Sequence, residues 1–575
     1  MQIHIRFPRV LLAMLVLPSL TFSAGKDDIV FKAMQDELDR SMDKLVIEGQ
    51  ARPYFLSYRI EDQEQMVIEA RYGALINSQQ RTDRYFSIDL RVGDKNLDNS
   101  NFVSDERDLF NMREDVVEEN DYPALRHQLW LFTDQAYKAA LENLARKKAY
   151  LQTHPEQEPI PDFSEVPKLE HLEAPVHLSM NADEWENTVR SAATTLGTSA
   201  GLQDWNVRLT EFASTKRYLN SEGSRYLKGA VYRQLEISAT TQASDGQRLC
   251  GFLSYVTRDN EAPPSDDRLM QDVRKLAADL TAAAAAPAID EYSGPVLFTD
   301  YASAQLISQL FAHELTPARQ AMTSEEWFQR FLTTGKIAGR LNRRVFPEFV
   351  TIRDDPTLAD WEGHALLGYQ TVDDEGVRAE AITLVNKGRL VGLPTNRQPT
   401  KKIRQSNGHA RTLPNQWTVP CISSLFVETS EPMPMKQLVE ELREIAKESG
   451  NDYGLIVTLL EDPMVSREYA WMRKDMDKPE PLTAPVLMYK VDPNSSRIEP
   501  VRGLIFDETS FRSLRDISAM GEEEQLYSVF QPSMIAELRY PMSIVTPAIL
   551  VEEMELKSNP VHEPKPFGSN PYYEE

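Results

Sequence analysis

Cysteine is nearly missing from this chain: 575 residues include only Cys250 and Cys421. They lie far apart with no Cys-x-x-Cys pair, which excludes a zinc ribbon, a dithiol redox centre and a disulfide-built small fold. In an oxidising compartment the two could join, or both are buried, inert thiols; sequence separation alone leaves both readings open. Basic runs are missing as well. The formal net charge is -25 and the sequence pI about 4.9. So acidic a surface repels phosphate backbones and anionic membranes, which argues against a nucleic-acid partner. A glycine-rich phosphate loop and a Gly-x-Ser-x-Gly element are both absent, so neither a nucleotide P-loop nor a serine-hydrolase elbow is expected.

What is present begins at the N-terminus. In "MQIHIRFPRVLLAMLVLPSLTFSAG", Arg6 and Arg9 precede an apolar core from Val10 to Leu20, followed by small residues. This is the layout of an export signal over residues 1–24, cleaved near Ser23 and Ala24, and it predicts a periplasmic or secreted protein. The core is short for a bilayer span, and an uncleaved N-terminal anchor is the other reading. No cysteine follows it, so lipid anchoring is not indicated, and no membrane span is expected after cleavage.

The length exceeds one compact core and predicts two or three domains. Residues 25–120 read as an α/β unit. Phe31, Met34, Leu38, Met42 and Leu45 fall at helical spacing, and "PYFLSYRI", "QMVIEARYG" and "RYFSIDLRVG" alternate as three strands do. Residues 121–180 hold a long helix with an apolar stripe (Tyr122, Leu125, Leu129, Phe132, Ala136, Ala140, Leu144) that needs cover, then the Pro/Glu-rich linker "THPEQEPIPDFSEVPKLE". His171 and His177 flank a proline there, at a spacing poor for a metal. Residues 181–290 read as the second part of the α/β region, with a hairpin at Ser244-Asp245-Gly246 and a helix from Ser265 into an alanine run. Residues 291–556 read as a β-rich domain, with a hairpin at Asn386-Lys387-Gly388 and a helix ended by Gly450. The amphipathic helix "YASAQLISQLFAHEL" stands near its start. Residues 557–575 read as a flexible tail.

That amphipathic helix carries His313-Glu314. A helical zinc site needs converging imidazoles with a glutamate beside the open coordination position, as His-Glu-x-x-His provides. Here the fourth residue after His313 is Pro317 and the fifth is Ala318. Neither binds a metal, and the proline ring predicts a kink. Asp354-Asp355 and Asp373-Asp374 could hold calcium or work as acid and base. Beside Pro356 and Gly376, however, they read first as turn residues. His364 and His409 are single histidines in loop-like settings. Arg319, Arg397, Arg404 and Arg411 could line a cavity and grip a peptide carboxylate bidentately.

"GPVLFTDYASAQLISQLFAHEL", "VFPEFVTIRDDPTL", "YQTVDDEGVRAEAITLVNKGRLVGLPTNRQ" and "QSNGHARTLP", in that order, closely resemble the TldD/PmbA family of metallopeptidases. The resemblance is strongest over 290–425, continues weakly to "SIVTPAILVEEMEL", and extends to 25–110. It implies an α/β N-terminal region and a C-terminal α+β half dominated by antiparallel sheet. In the metal-bearing branch, His-Glu is followed after three residues by a second histidine, and a cysteine near the C-terminus completes the site. Carried over, His313 matches the first ligand and Glu314 the catalytic glutamate. Ala318 stands where the second histidine belongs, and no cysteine follows Cys421. The other branch lacks the motif and joins a metal-bearing partner to close a peptide-holding chamber. The resemblance therefore implies a metal-free, peptide-binding subunit without cofactor, paired with itself or with a metal-bearing member, and the N-terminal segment adds export. Arg411, Asn407 and His409 are its candidate substrate-binding residues. Two alternatives stand beside it: a working peptidase that keeps zinc on His313 with non-standard ligands such as His364 or His409, and an exported scaffold with no peptidase partner.

Overall fold

A computed structural model describes residues 28–575 apart from 104–113, 155–158, 260, 265, 316–318, 326–335, 413–417, 463–481, 508, 533–538, 561–562, 567–569 and 574–575. The expected export signal at 1–24 lies outside the described residues, as do Pro317 and Ala318. Among the described residues no helix is long and apolar enough to cross a membrane.

Helix α1 (Ile29–Lys44) starts at Asp28, whose carboxylate accepts the Phe31 N–H. Strands β1 (Pro53–Arg71) and β2 (Ala74–Val92) follow as a hairpin of two 19-residue strands. Its turn is Tyr72-Gly73, both at positive φ (52° and 80°), as a two-residue hairpin turn with matching twist demands. The sequence suggested two strands where β1 is one, because the polar run Glu61–Gln65 looked like a break. The strand continues because those residues pair with β2 on one side and with β3 (Leu202–Asn220) on the other. Two ladders outweigh weak local propensity. With β4 (Arg225–Gln242) and β5 (Arg248–Arg258), the antiparallel order is β2-β1-β3-β4-β5, so residues before and after the linker build one sheet.

Alternate β1 residues turn one face of this sheet to helices. Leu56, Tyr58 and Ile60 pack under α1 and the long helix α2 (Tyr122–Thr153). Met66, Ile68 and Ala70 pack under α3 (Ala182–Leu196) and α4 (Asp266–Ala285). The stripe of α2 is covered within the chain: Leu125, Leu129, Tyr137, Ala140 and Leu144 are buried in the cluster that holds Tyr58 and Phe86. The cover this stripe needs therefore comes from the chain itself.

The C-terminal domain is two sheets. One contains β6 (Glu291–Phe298), β10 (Gly454–Leu460), β11 (Pro485–Val491) and β14 (Ile549–Ser558), in the order β14-β6-β10-β11. The other contains β7 (Val350–Asp354), β8 (Ile382–Asn386), β9 (Ser424–Thr429), β12 (Gln525–Pro532) and β13 (Arg539–Thr546), in the order β8-β7-β9-β13-β12. One core spans both, joining Val296, Val457 and Met488 to Ile352, Val385 and Ile544. Helix α5 (Asp300–Ile307) lies inside that core, while α6 (Met435–Glu448) covers the opposite face of the first sheet through Leu438 and Leu442.

The remaining face of the N-terminal sheet is polar, and the second domain covers it. Arg59 donates to Thr412 Oγ1, Lys228 Nζ to the Val372 carbonyl at 2.7 Å, and Arg258 to the carbonyls of Leu367 and Tyr369. The described part of the tail makes contacts with the body of the fold. Glu563 N donates to the Gly246 carbonyl, Tyr572 meets Trp205 edge-on at 5.0 Å, and the Tyr573 hydroxyl donates to the Ser199 carbonyl at 2.8 Å.

Candidate functional site

The segment bearing His313-Glu314 is not an amphipathic helix. Ala302 to Ile307 are all buried, because sheet lies on both sides. Two glutamines clamp it. Gln305 exchanges hydrogen bonds with the Leu460 backbone at 2.9 and 3.0 Å, and Gln309 does the same with Thr483 at 2.9 and 3.0 Å. The helix then widens into one π turn, Ser308–Ala312, with Phe311 edge-on to Phe346 at 5.2 Å, and tightens into a 3₁₀ turn, His313–Leu315. Such wide turns are frequent at functional sites. Here Glu314 Oε2 accepts the Lys336 backbone N–H at 2.6 Å, so the carboxylate ties down a loop.

These residues do not fit a catalytic zinc, which needs three protein donors and a glutamate free to face a bound water. Ala318 has no donor atom and Glu314 is engaged by backbone. Among the described residues no three His, Cys, Asp or Glu side chains converge as a metal site. His364 pairs with Glu261 at 3.0 Å, His171 with Glu173 and Thr371, and His177 with Glu64. Both cysteines are free. Burial pushes the Cys250 thiol up to about 11 and the Cys421 thiol up to about 12, so neither is a thiolate at neutral pH.

The structure does gather Asn407, His409 and Arg411 with both acidic pairs. Gly408 sits at φ +74°, and a Cβ there would come 2.2 Å from the Arg378 carbonyl, so the turn demands glycine. Asn407 spends its amide on the loop: Oδ1 accepts from Thr395 N and faces His409 Nδ1 at 2.9 Å, and Nδ2 donates to the Leu393 carbonyl. His409 is completely buried, its Nε2 3.3 Å from Asp354 Oδ2. Asp354 accepts the N–H groups of Ser423 and Ser424, while Asp355 accepts that of Thr357. Asp373 accepts those of Glu375, Val377 and Ala410. These acids are turn and loop fasteners. Arg411 donates to the Gly368 carbonyl at 2.8 Å, and Arg319 to Asp162 at 3.0 Å. Arg404 is exposed.

Asp374 differs from its neighbours. It lies at the domain junction with Lys216 Nζ at 3.0 Å, Lys228 Nζ at 2.9 Å and the Thr412 N–H at 2.8 Å. Burial opposes its charge, but Lys216, Lys228, Arg59 and Arg411 outweigh it and hold the carboxyl well below the usual range. Burial pushes Lys228 down to about 8 against the pull of Asp374. Burial raises Asp373 to about 6, and burial together with Asp373 raises Glu375 to about 7. Sequence reading did not find Lys216, Lys228 or Glu375, because isolated lysines in alternating strands look like a solvated face.

The architecture is that of a mixed α/β protein with a β-rich C-terminal domain, and the comparisons agree. Residues 291–466 match the family profile described as the PmbA/TldA metallopeptidase C-terminal domain, so this part of the chain is similar to the TldD/PmbA family. Two archaeal proteins named metalloprotease are similar over 108 residues, from Archaeoglobus fulgidus at 35% identity and Methanothermobacter thermautotrophicus at 29%. That stretch is 19% of this chain and 24% and 22% of theirs, so the chain spans about a quarter of the length of the curated relatives it matches. Two solved structures share the fold over 92% of this chain and 100% of theirs, each at 14% identity. One is from Thermotoga maritima MSB8, named a modulator of a DNA gyrase (TM-score 0.57), and the other is TldE from Thermococcus kodakarensis (TM-score 0.55).

Proposed function

We propose that the chain is an exported, metal-free, peptide-binding member of the TldD/PmbA family that works beside a metal-bearing partner. One observation carries this reading. The His-Glu segment is kept as a core element, clamped by Gln305 and Gln309 and unwound before His313, with Glu314 bonded to the Lys336 N–H. A glutamate so engaged serves packing, and Ala318 and the lack of any cysteine after Cys421 remove the donors that the family's metal branch supplies. Export rests on the N-terminal 24 residues alone.

Elemental analysis of protein prepared without added metal tests the reading. The expected zinc content is well below one per chain and unchanged in His313→Ala. Near-stoichiometric zinc that disappears in His313→Ala overturns it in favour of a working metallopeptidase, the activity for which the two archaeal relatives are named.

A further inference from the structure

The chain is acidic overall, with 88 Asp and Glu against 63 Lys and Arg, yet one surface reverses the sign. Three short segments, distant in sequence, meet there: 336–344, the hairpin tip 386–390 and the 3₁₀ turn Phe511–Asp516. Backbone bonds tie the first two together. Asn342 N donates to the Leu390 carbonyl at 2.7 Å, Leu390 N donates to the Arg343 carbonyl at 3.0 Å, and Arg344 bridges Arg389. The third is joined through side chains. Arg515 Nη2 donates to the Arg344 carbonyl at 2.9 Å, and the Arg340 guanidinium stands 5.7 Å over the Phe511 ring.

Lys336, Arg343, Lys387, Arg389 and Arg512 are exposed on these segments. Among the described residues none of these five side chains is paired with a carboxylate, whereas Arg344 beside them has Glu348 at 3.2 Å. Asp516 is the one acidic residue within the three segments. Cations gathered this closely repel one another, and an anionic partner relieves that repulsion. The patch borders the His-Glu segment, since the Lys336 N–H is the donor that Glu314 accepts at 2.6 Å and the π turn Ser308–Ala312 packs against Phe511–Asp516.

We infer that this surface docks an acidic stretch of an extended peptide, its carboxylates on the guanidinium groups of Arg343, Arg389 and Arg512. A planar guanidinium matches a carboxylate with two parallel hydrogen bonds. This rests on the peptide-binding reading of the proposed function and adds the sign of the charge the peptide carries. Duplex DNA and an anionic membrane suit the patch less. At physiological salt its field reaches about 8 Å, so a narrow peptide feels the patch alone, while a broad polyanion also meets the acidic remainder of the chain.

Fluorescence anisotropy with the full chain and three rhodamine-labelled octapeptides of alternating Glu-Gly, Gln-Gly and Lys-Gly sequence tests it. The Glu-Gly peptide should bind saturably and more tightly than the other two. Its affinity should fall as salt rises from about 0.1 to 1 M and the screening length shrinks from about 10 to 3 Å. Arg343→Gln combined with Arg389→Gln should weaken it about 2- to 25-fold, each exposed pair being worth about 1.4- to 5-fold. Lys44→Gln with Arg190→Gln, which removes the same charge from exposed positions on α1 and α3, should leave it unchanged. Equal binding of the Gln-Gly peptide overturns the inference and leaves the peptide-binding reading standing, whereas no saturable binding of any of the three overturns both. Equal losses in the two double variants, both folded by circular dichroism, also overturn the inference. So does tighter binding of a DNA duplex or of phosphatidylglycerol vesicles than of the Glu-Gly peptide.

Discussion

Replacing Asp374 by asparagine should loosen the junction between the two domains. The side chain is 1% exposed and lies 3.0 and 2.9 Å from two lysine ammoniums, so the amide keeps the shape and removes the charge both lysines face. Removing one partner of a buried ion pair leaves the other uncompensated and costs about 3–5 kcal/mol. Lys228 sets a limit to that cost, because burial already pushes it down to about 8. Without Asp374 it falls further and can shed its proton. The sign follows from the depressed value: the folded chain releases this proton before the unfolded chain does, so stability rises with pH above the folded pKa. The penalty of Asp374→Asn should therefore be about 3 kcal/mol near neutrality and shrink in mildly alkaline buffer. Adding Lys228→Met should restore much of it by removing the stranded charge. Two domains need not unfold together, so hydrogen exchange of the 225–231 and 366–376 amides is read alongside the denaturant midpoint. A loss below ~1 kcal/mol at neutral pH, or a double variant no more stable than Asp374→Asn, would refute the reasoning.

Two other outcomes follow from the junction and the tail. Glu375, raised to about 7, contributes stability that is full below its ordinary 4.5 and lost as pH rises through 7. Urea midpoints should therefore climb as the buffer is acidified from about pH 7.5 to 5, by at most ~2–3 kcal/mol shared with Asp373, and Glu375→Gln should flatten that slope. Tyr573→Ala removes the hydrogen bond to Ser199 and an aromatic neighbour of Trp205; it should cost ~1–2 kcal/mol and speed hydrogen exchange over 199–205.

The elements with strong periodicity or turn chemistry were legible from sequence. The long helix beginning at Tyr122, the hairpins at Gly246 and Gly388 and the helix before Gly450 all lie where spacing and glycine place them. What misled was context. The polar middle of β1 looked like a loop because pairing on both sides leaves no trace in local composition. The helix from Asp300 looked two-faced because Ser303, Gln305 and Gln309 are polar. Ser303 and Gln305 are nevertheless buried, and both glutamines are bonded to backbone across the core. For the site, the departure at Ala318 was visible directly, and Asp355 and Asp373 do take the turn role their neighbours suggested, while Asp354 ends β7 and fastens the distant Ser423–Ser424 backbone. The lysines around Asp374 were not legible, since their meaning depends on a second domain folding over the sheet.

The return of the tail to Trp205 ties the start of the fold to its end. Trp205 lies in β3 and Ser199 in the turn just before it, yet Tyr572 and Tyr573 are synthesised only after every strand of both domains. Until those residues arrive, the Trp205 indole lacks the two ring contacts they give it, at 5.0 and 6.3 Å. A chain without Tyr572 and Tyr573 loses those ring contacts and the bond to Ser199, so this pair acts as a late-made latch on the first layer of the fold.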